Sequence, residues 1–152
     1  MQAADEESRT DWEIRPFREA DREAVIQLWC DCDLVRPWND PGLDIDRKLT
    51  IQPEFFLVGV SADVICASVM AGFDGHRGWV NYLAVLPSRQ GRGYGRGMMA
   101  AVEASLIAAG CPKLNLQVRA GNQATLAFYE ALGFSRDPVT SLGKRLIVDD
   151  QK

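Results

Sequence analysis

The chain has 152 residues and a net charge of −4, with 47% apolar and 25% charged residues. That composition fits one globular domain. The acidic balance argues against nucleic acid as the main partner, and no apolar run is long enough for a membrane-spanning helix.

Residues 1–11, MQAADEESRTD, are acidic and polar and lack the basic start and apolar run of a secretory signal. They are read as a disordered lead-in to a single domain over 12–152, with the cytoplasm as the expected compartment. Residues 13–17 read as a first strand. Over 19–32, Val25, Leu28, Trp29 and Cys32 fall on one helical face. Pro37 and Pro41 then act as breakers before a short helix over 43–51. Two β-branched runs, 55–60 and 64–73, flank Ser61-Ala62-Asp63 and predict a hairpin. A Gly-rich turn, FDGHRG, leads to a strand over 79–86, ended by Pro87.

A helix to about residue 109 follows, with Gly110 as its C-terminal cap. Residues 113–118 read as a strand. Asn122 is a good N-cap for a helix over 123–132, stopped by Gly133. Residues 134–136 and 142–148 are expected to be closing strands. The order of elements describes an α/β domain with a mixed sheet. Of the four cysteines, Cys30 and Cys32 point to nearly opposite helical faces, which speaks against a local clip or disulfide. With His76 as the single histidine, no metal site is expected.

The stretch Gln90-Gly91-Arg92-Gly93-Tyr94-Gly95-Arg96-Gly97 is the most informative in the chain. Glycine is a poor residue with which to start a helix, costing about 1 kcal/mol per site relative to alanine. Neither GxxxxGK[ST] nor GxGxxG fits the spacing. The physical content remains: unpaired amides at a helix start, close backbone approach and three arginines (Arg89, Arg92, Arg96) make a site suited to a pyrophosphate.

Leu83-Ala84-Val85-x-Pro87-x-x-Gln90-Gly91-Arg92-Gly93-Tyr94-Gly95 resembles motif A of the GNAT acyltransferase superfamily, whose central signature is [RQ]xxGx[GA]. Asn122-x-x-Thr125-x-x-Phe128-Tyr129-x-x-x-Gly133-Phe134 is similar to the second marker of that family. CDLVRPWNDP, AGFDGHRG and SLGKRL further resemble the YpeA-type group of bacterial GNAT proteins. The resemblance covers about residues 13–148.

The resemblance implies the family's α/β fold: a mixed, mostly antiparallel sheet splayed between two parallel strands, here 79–86 and 113–118, and flanked by helices. It implies an N-acetyltransferase with acetyl-CoA as co-substrate and an amine as acceptor, whether small molecule, peptide or protein, in a monomer or homodimer. Leu83 and Val85 would offer main-chain groups to the pantetheine arm. The amide near Ala84 would polarise the thioester carbonyl, and residues Gln90, Gly91, Arg92, Gly93, Tyr94, Gly95 and Arg96 would hold the pyrophosphate. Asn122 and Phe128 join the cofactor-binding set, and Tyr129 would protonate the departing thiolate. Many family members carry a glutamate on the strand that here reads Trp79, Val80, Asn81, Tyr82. Asn81 is therefore the candidate to orient a water as base, with Asp74 and His76 as turn alternatives.

The acceptor side is expected in the loop after the first helix. Residues 31–46 hold five aspartates against Arg36, a patch that would draw a cationic amine. Asp33, Trp38 and Asn39 are the substrate-binding candidates, with Trp38 stacking on the cation. The missing strand carboxylate keeps open a non-catalytic acyl-CoA-binding sensor or interaction module.

Overall fold

A computed structural model describes residues 11–149. All of the expected lead-in except Asp11 lies outside the described residues. The elements run β1 (Trp12–Pro16), α1 (Arg22–Asp31), α2 (Pro41–Leu49), β2 (Phe56–Ser61), β3 (Val64–Phe73), β4 (Gly78–Val85), α3 (Tyr94–Ala108), β5 (Leu114–Asn115) and α4 (Gln123–Ala131). The five strands form one sheet in chain order, antiparallel up to β4 and parallel between β4 and β5. None of these helices is long and apolar enough to cross a membrane.

The sheet is the middle of three layers. On one face Met98, Met99, Val102 and Leu106 of α3 pack on Leu57, Ala67 and Val69, joined by Tyr129 of α4. On the other, Val25, Leu28 and Trp29 of α1 and Ile45 of α2 pack on Phe56, Val58 and Met70. The β2–β3 hairpin forms as expected. Its Ala62-Asp63 link has φ of 49° and 63°, the mirror-image turn that suits the twist of paired strands.

Pro41 is not a breaker. It is the first residue of α2, where its missing N–H costs nothing, and Asp40 caps the helix by accepting from the Gly42 (2.8 Å) and Leu43 (3.2 Å) amides. The helix therefore starts at Pro41 rather than near 43, and it ends at Leu49 rather than near 51.

The two closing strands are absent among the described residues, and the strand expected over 113–118 pairs only at Leu114 and Asn115. Gly133 and Phe134 instead close α4. The Gly133 amide donates to the Glu130 carbonyl (3.0 Å) and the Phe134 amide to that of Tyr129 (3.1 Å). This two-bond closure needs the left-handed backbone that Gly133 adopts (φ +97°). An amide engaged there cannot feed a sheet ladder. The 142–148 segment is carried to α2 by side-chain bonds, Arg145 Nη2 to Asn39 Oδ1 (2.6 Å) and Arg47 to Asp149 (2.5 Å), and runs outside the sheet.

Candidate active site

The sheet opens on one side of β4. Gly78 and Trp79 pair with Leu114 and Asn115, and beyond them the two parallel strands diverge. A bulge in the β3–β4 register sits between Ser68 and Met70. Opposite it Tyr82 adopts φ +55°, a strained conformation for an aromatic residue, costing about 1–2 kcal/mol. The bulge changes which face each side chain meets. Val80, Leu83 and Val85 pack toward α3, while Tyr82 and Ala84 pack toward α1. Leu86 donates to Cys66 O (2.9 Å) across β3, so strand alternation turns the main-chain groups of Leu83 and Val85 toward the opening. The Val85 carbonyl accepts from Gln90 Nε2 (3.1 Å) and Cys32 Sγ (3.2 Å).

At the end of β4 the chain turns into α3. Gly93 is the N-cap with φ +90°, a backbone region that side chains rarely tolerate. The first intrahelical bond there runs from the Gly97 amide to the Gly93 carbonyl (3.0 Å). The amides of residues 91–96 meet no acceptor among the described residues. Together with the exposed Arg92 and Arg96 they form a positively polarised loop at the mouth of the opening.

The other glycines and aromatics here do different work. A Cβ on Gly95 would stand 3.0 Å from the Phe128 ring, and one on Gly97 would stand 2.8 Å from Trp12. Phe128 thus packs α4 against the first turn of α3. Tyr94, a cofactor-binding candidate, has its side chain buried edge-on to Trp12 (4.6 Å between centroids) and its amide at the loop.

A cleft of about 1040 Å³ lies between β5, the start of α4 and the tail, lined among others by Trp79, Arg119, Asn122 and Tyr129. Asn122 Oδ1 accepts from the Thr125 amide (3.1 Å), so it caps α4 as expected and keeps its Nδ2 donors. The Tyr129 ring is buried edge-on to Phe128 and Phe134, and burial pushes its phenol up to about 12. No buried side-chain polar atom among the described residues lacks a partner, and the Tyr129 hydroxyl makes no hydrogen bond. Its tip therefore reaches the cleft.

Each acceptor-side candidate meets another described residue. Asp33 points to solvent and pairs with Arg36 (3.4 Å). Trp38 lies under the Arg119 guanidinium (5.7 Å), and Asn39 accepts from Arg145. Asn81 is exposed on β4 with its carboxamide unbonded among the described residues. Asp74 is a turn clamp, its Oδ1 accepting from the His76 and Arg77 amides at 2.7 Å, and His76 is exposed.

One assembly at the bulge has no local sequence signal. Tyr82 stacks on Trp29 (3.8 Å, 10° between planes) and donates to Asp44 Oδ2 (2.6 Å). Trp29 Nε1 donates to Ser68 Oγ (2.9 Å), which donates to the Tyr82 carbonyl (3.2 Å). These contacts hold the strained residue from three elements at once, α1, α2 and β3. No group of residues that would hold a metal ion occurs among the described residues.

Comparison with known proteins agrees with this geometry. The profile of the family described as "Acetyltransferase (GNAT) family" matches residues 10–134. Acetyltransferase YE1169 of Yersinia enterocolitica is 51% identical over 139 residues, covering 91% of this chain and 99% of that protein. Acetyltransferase SG1711 of Sodalis glossinidius is 51% identical over 140 residues, with 91% and 99% coverage. Among solved structures, Ard1 from Thermoplasma volcanium superposes with a TM-score of 0.73 at 22% identity, over 83% of this chain and 84% of that one. AAC(6')-Iy in complex with a bisubstrate analogue gives 0.73 at 19% identity, over 89% and 99%. The NatC complex bound to Gag peptide and CoA gives 0.74 at 21% identity, over 84% and 87%. The chain belongs to the GNAT acetyltransferase family.

Proposed function

We propose that the protein transfers the acetyl group of acetyl-CoA to a primary amine. One observation carries this reading: the unpaired edge of β4 runs straight into the unpaired amides that open α3. A ligand with an amide-bearing arm and a diphosphate at its end fits that line. When bound, acetyl-CoA supplies an activated acetyl group as a thioester.

Leu83 and the Val85 amide bind the arm as an added strand, through main-chain groups that β5 leaves unpaired, while the Val85 carbonyl is held by Gln90 and Cys32. The Leu83 amide, facing the opening beside Ala84, is the donor for the thioester carbonyl. The amides of residues 91–96, with Arg92 and Arg96, bind the diphosphate. Each such bond to a charged oxygen contributes about 1.5–3 kcal/mol. Asn122 uses Nδ2 on the arm, since its Oδ1 caps α4. Tyr129 donates its hydroxyl proton to the leaving sulfur. An alkyl amine with a pKa of about 10.4 is protonated near neutral pH, so a proton must leave before attack. Asn81 orients a water for that step.

Isothermal titration of the purified protein with acetyl-CoA tests the reading, followed by thiol release over a panel of amines. Saturable binding and amine-dependent thiol release are expected. No binding sinks the proposal. Binding without release on any amine assigns the protein to the sensor class.

A further inference from the structure

The aspartates of the 31–46 loop are already engaged. Asp31 accepts from Gln27 Nε2 (2.9 Å), Asp33 pairs with Arg36, and Asp40 caps α2. Asp44 holds Tyr82 and Arg47 (3.2 Å), and Asp46 holds Arg22 (2.7 Å). Arg47 is further neutralised by Asp149. Three cations beside this loop make no ion pair with a described residue: Arg119, Lys144 and Arg145.

These three converge on Trp38. The Arg119 guanidinium lies over the Trp38 ring, and that ring is 48% exposed. Lys144 and Arg145 line a second cavity of about 570 Å³ with Trp38 and Arg47. Arg145 is aimed by two acceptors, the Asn39 Oδ1 (2.6 Å) and the Ile147 carbonyl (3.2 Å). Its field also helps hold the Asp149 carboxyl below the ordinary carboxylate range. Arg119 lines the cleft shared with Asn122 and Tyr129, and its contact with Trp38 joins that cleft to the open depression lined by Lys144 and Arg145. A guanidinium held over an indole at 5.7 Å, with no carboxylate partner, keeps N–H donors for an anion.

We infer that the acceptor amine also carries an anionic group, a carboxylate or a phosphate, bound by Arg119, Lys144 and Arg145 against Trp38. The inference rests on the acetyltransferase reading and reverses the charge expected of the acceptor site. The anion fixes one end of the acceptor at the cavity junction and leaves its amine to enter the cleft toward Tyr129.

The test compares three acceptors of similar reach: propylamine, 3-aminopropanoate and 2-aminoethyl phosphate. At least one anionic acceptor is expected to exceed propylamine in kcat/KM by about tenfold or more, the value of one charge-assisted bond. The better of the two identifies carboxylate or phosphate. The ratio falls toward unity in the Arg119→Gln/Arg145→Gln protein. It also falls with added salt in the wild type, which reads the same interaction without a variant. A wild-type ratio of unity or below, or a ratio unmoved by the double substitution and by salt, overturns the inference. If acetyl-CoA binds but no amine turns over, the decision is read from CoA-loaded protein. Preference for N-acetyl-3-aminopropanoate or N-acetyl-2-aminoethyl phosphate over N-propylacetamide supports the anion site, and no preference overturns it. Failure to bind acetyl-CoA at all overturns both readings, and is seen before any acceptor is added.

Discussion

Tyr129 joins a buried ring to a hydroxyl at the cleft, and the two properties separate in one substitution. Tyr129→Phe keeps the packing against Phe128 and Phe134 and removes the proton donor. Turnover is expected to fall by about 10²–10⁴, the range for a lost general acid, with acetyl-CoA affinity by titration nearly unchanged. An unchanged kcat removes Tyr129 from the chemistry. The raised pKa, about 12, also has a sign in folding. The native state holds this proton more tightly than the unfolded chain, so the contribution is full below the unfolded value of about 10 and fades as pH rises toward 12. Urea unfolding between about pH 9 and pH 11 should cost the wild type more stability than Tyr129→Phe. Asn122 and Tyr129 were legible in the sequence because a helix fixes both by local spacing. The Tyr82–Asp44 bond and the Arg119–Trp38 contact join residues far apart in the chain, and no local pattern encodes them. The acidic loop shows the same limit: a count of its charges does not show that Arg22 of α1 meets Asp46 or that Tyr82 of β4 meets Asp44.

The start of α3 shows one sequence motif performing two kinds of work. Gly93 is required by its backbone angle at the loop, whereas Gly95 is required by the Phe128 ring that fills the space of its missing side chain. Alanine substitution separates them. In a free helix Gly95→Ala would gain up to about 1 kcal/mol of propensity. Here the new methyl meets Phe128, and overpacking of that kind costs about 1–3 kcal/mol, so the melting temperature should fall. Gly93→Ala meets no atom within 4 Å, and its penalty is the left-handed backbone. Relaxing that strain re-aims the amides, so acetyl-CoA affinity should drop more than stability does. Calorimetric melts beside titrations distinguish the two, and equal effects of both variants on both readouts would contradict the division. Elements with a strong periodic signal were readable to the residue, as in β3 over Val64–Phe73. The closing strands were not, because their apolar pattern is the same whether or not a partner edge is within reach. For Phe134 the competing bond was a helix cap, and for 142–148 it was a set of side-chain anchors on α2.

Across the whole molecule the C-terminal tail is tied to the α1–α2 side by the buried Asp149 carboxylate and by the exposed Arg145–Asn39 bond. Asp149 takes Arg47 at 2.5 Å and the Asp40 amide at 2.9 Å, which ties the last described residue to the N-terminus of α2. Those two donors hold its carboxyl below the ordinary carboxylate range. A depressed pKa places the stabilisation above the unfolded value of about 3.9, and it is lost as pH falls through the lower folded one. Between the anchor at Asp149 and the turn after α4 the tail exposes Leu142, Leu146, Ile147 and Val148, so apolar burial contributes little to its placement. The anchor should therefore dominate. Asp149→Ala is expected to speed tryptic cleavage after Lys144 and Arg145 at neutral pH. Hydrogen exchange in β2 and β3, which lie in the sheet interior, should not change. Arg145 and Lys144 ride on this tail, whereas the α3 loop is held by β4 and α4. The same variant should consequently weaken use of an anionic acceptor while leaving acetyl-CoA titrations as they were. If cleavage after Lys144 and Arg145 does not respond, the tail is held by contacts other than this ion pair. If acetyl-CoA binding falls in parallel, the two halves of the site are not mechanically separate, and the tail bears on the cofactor loop as well.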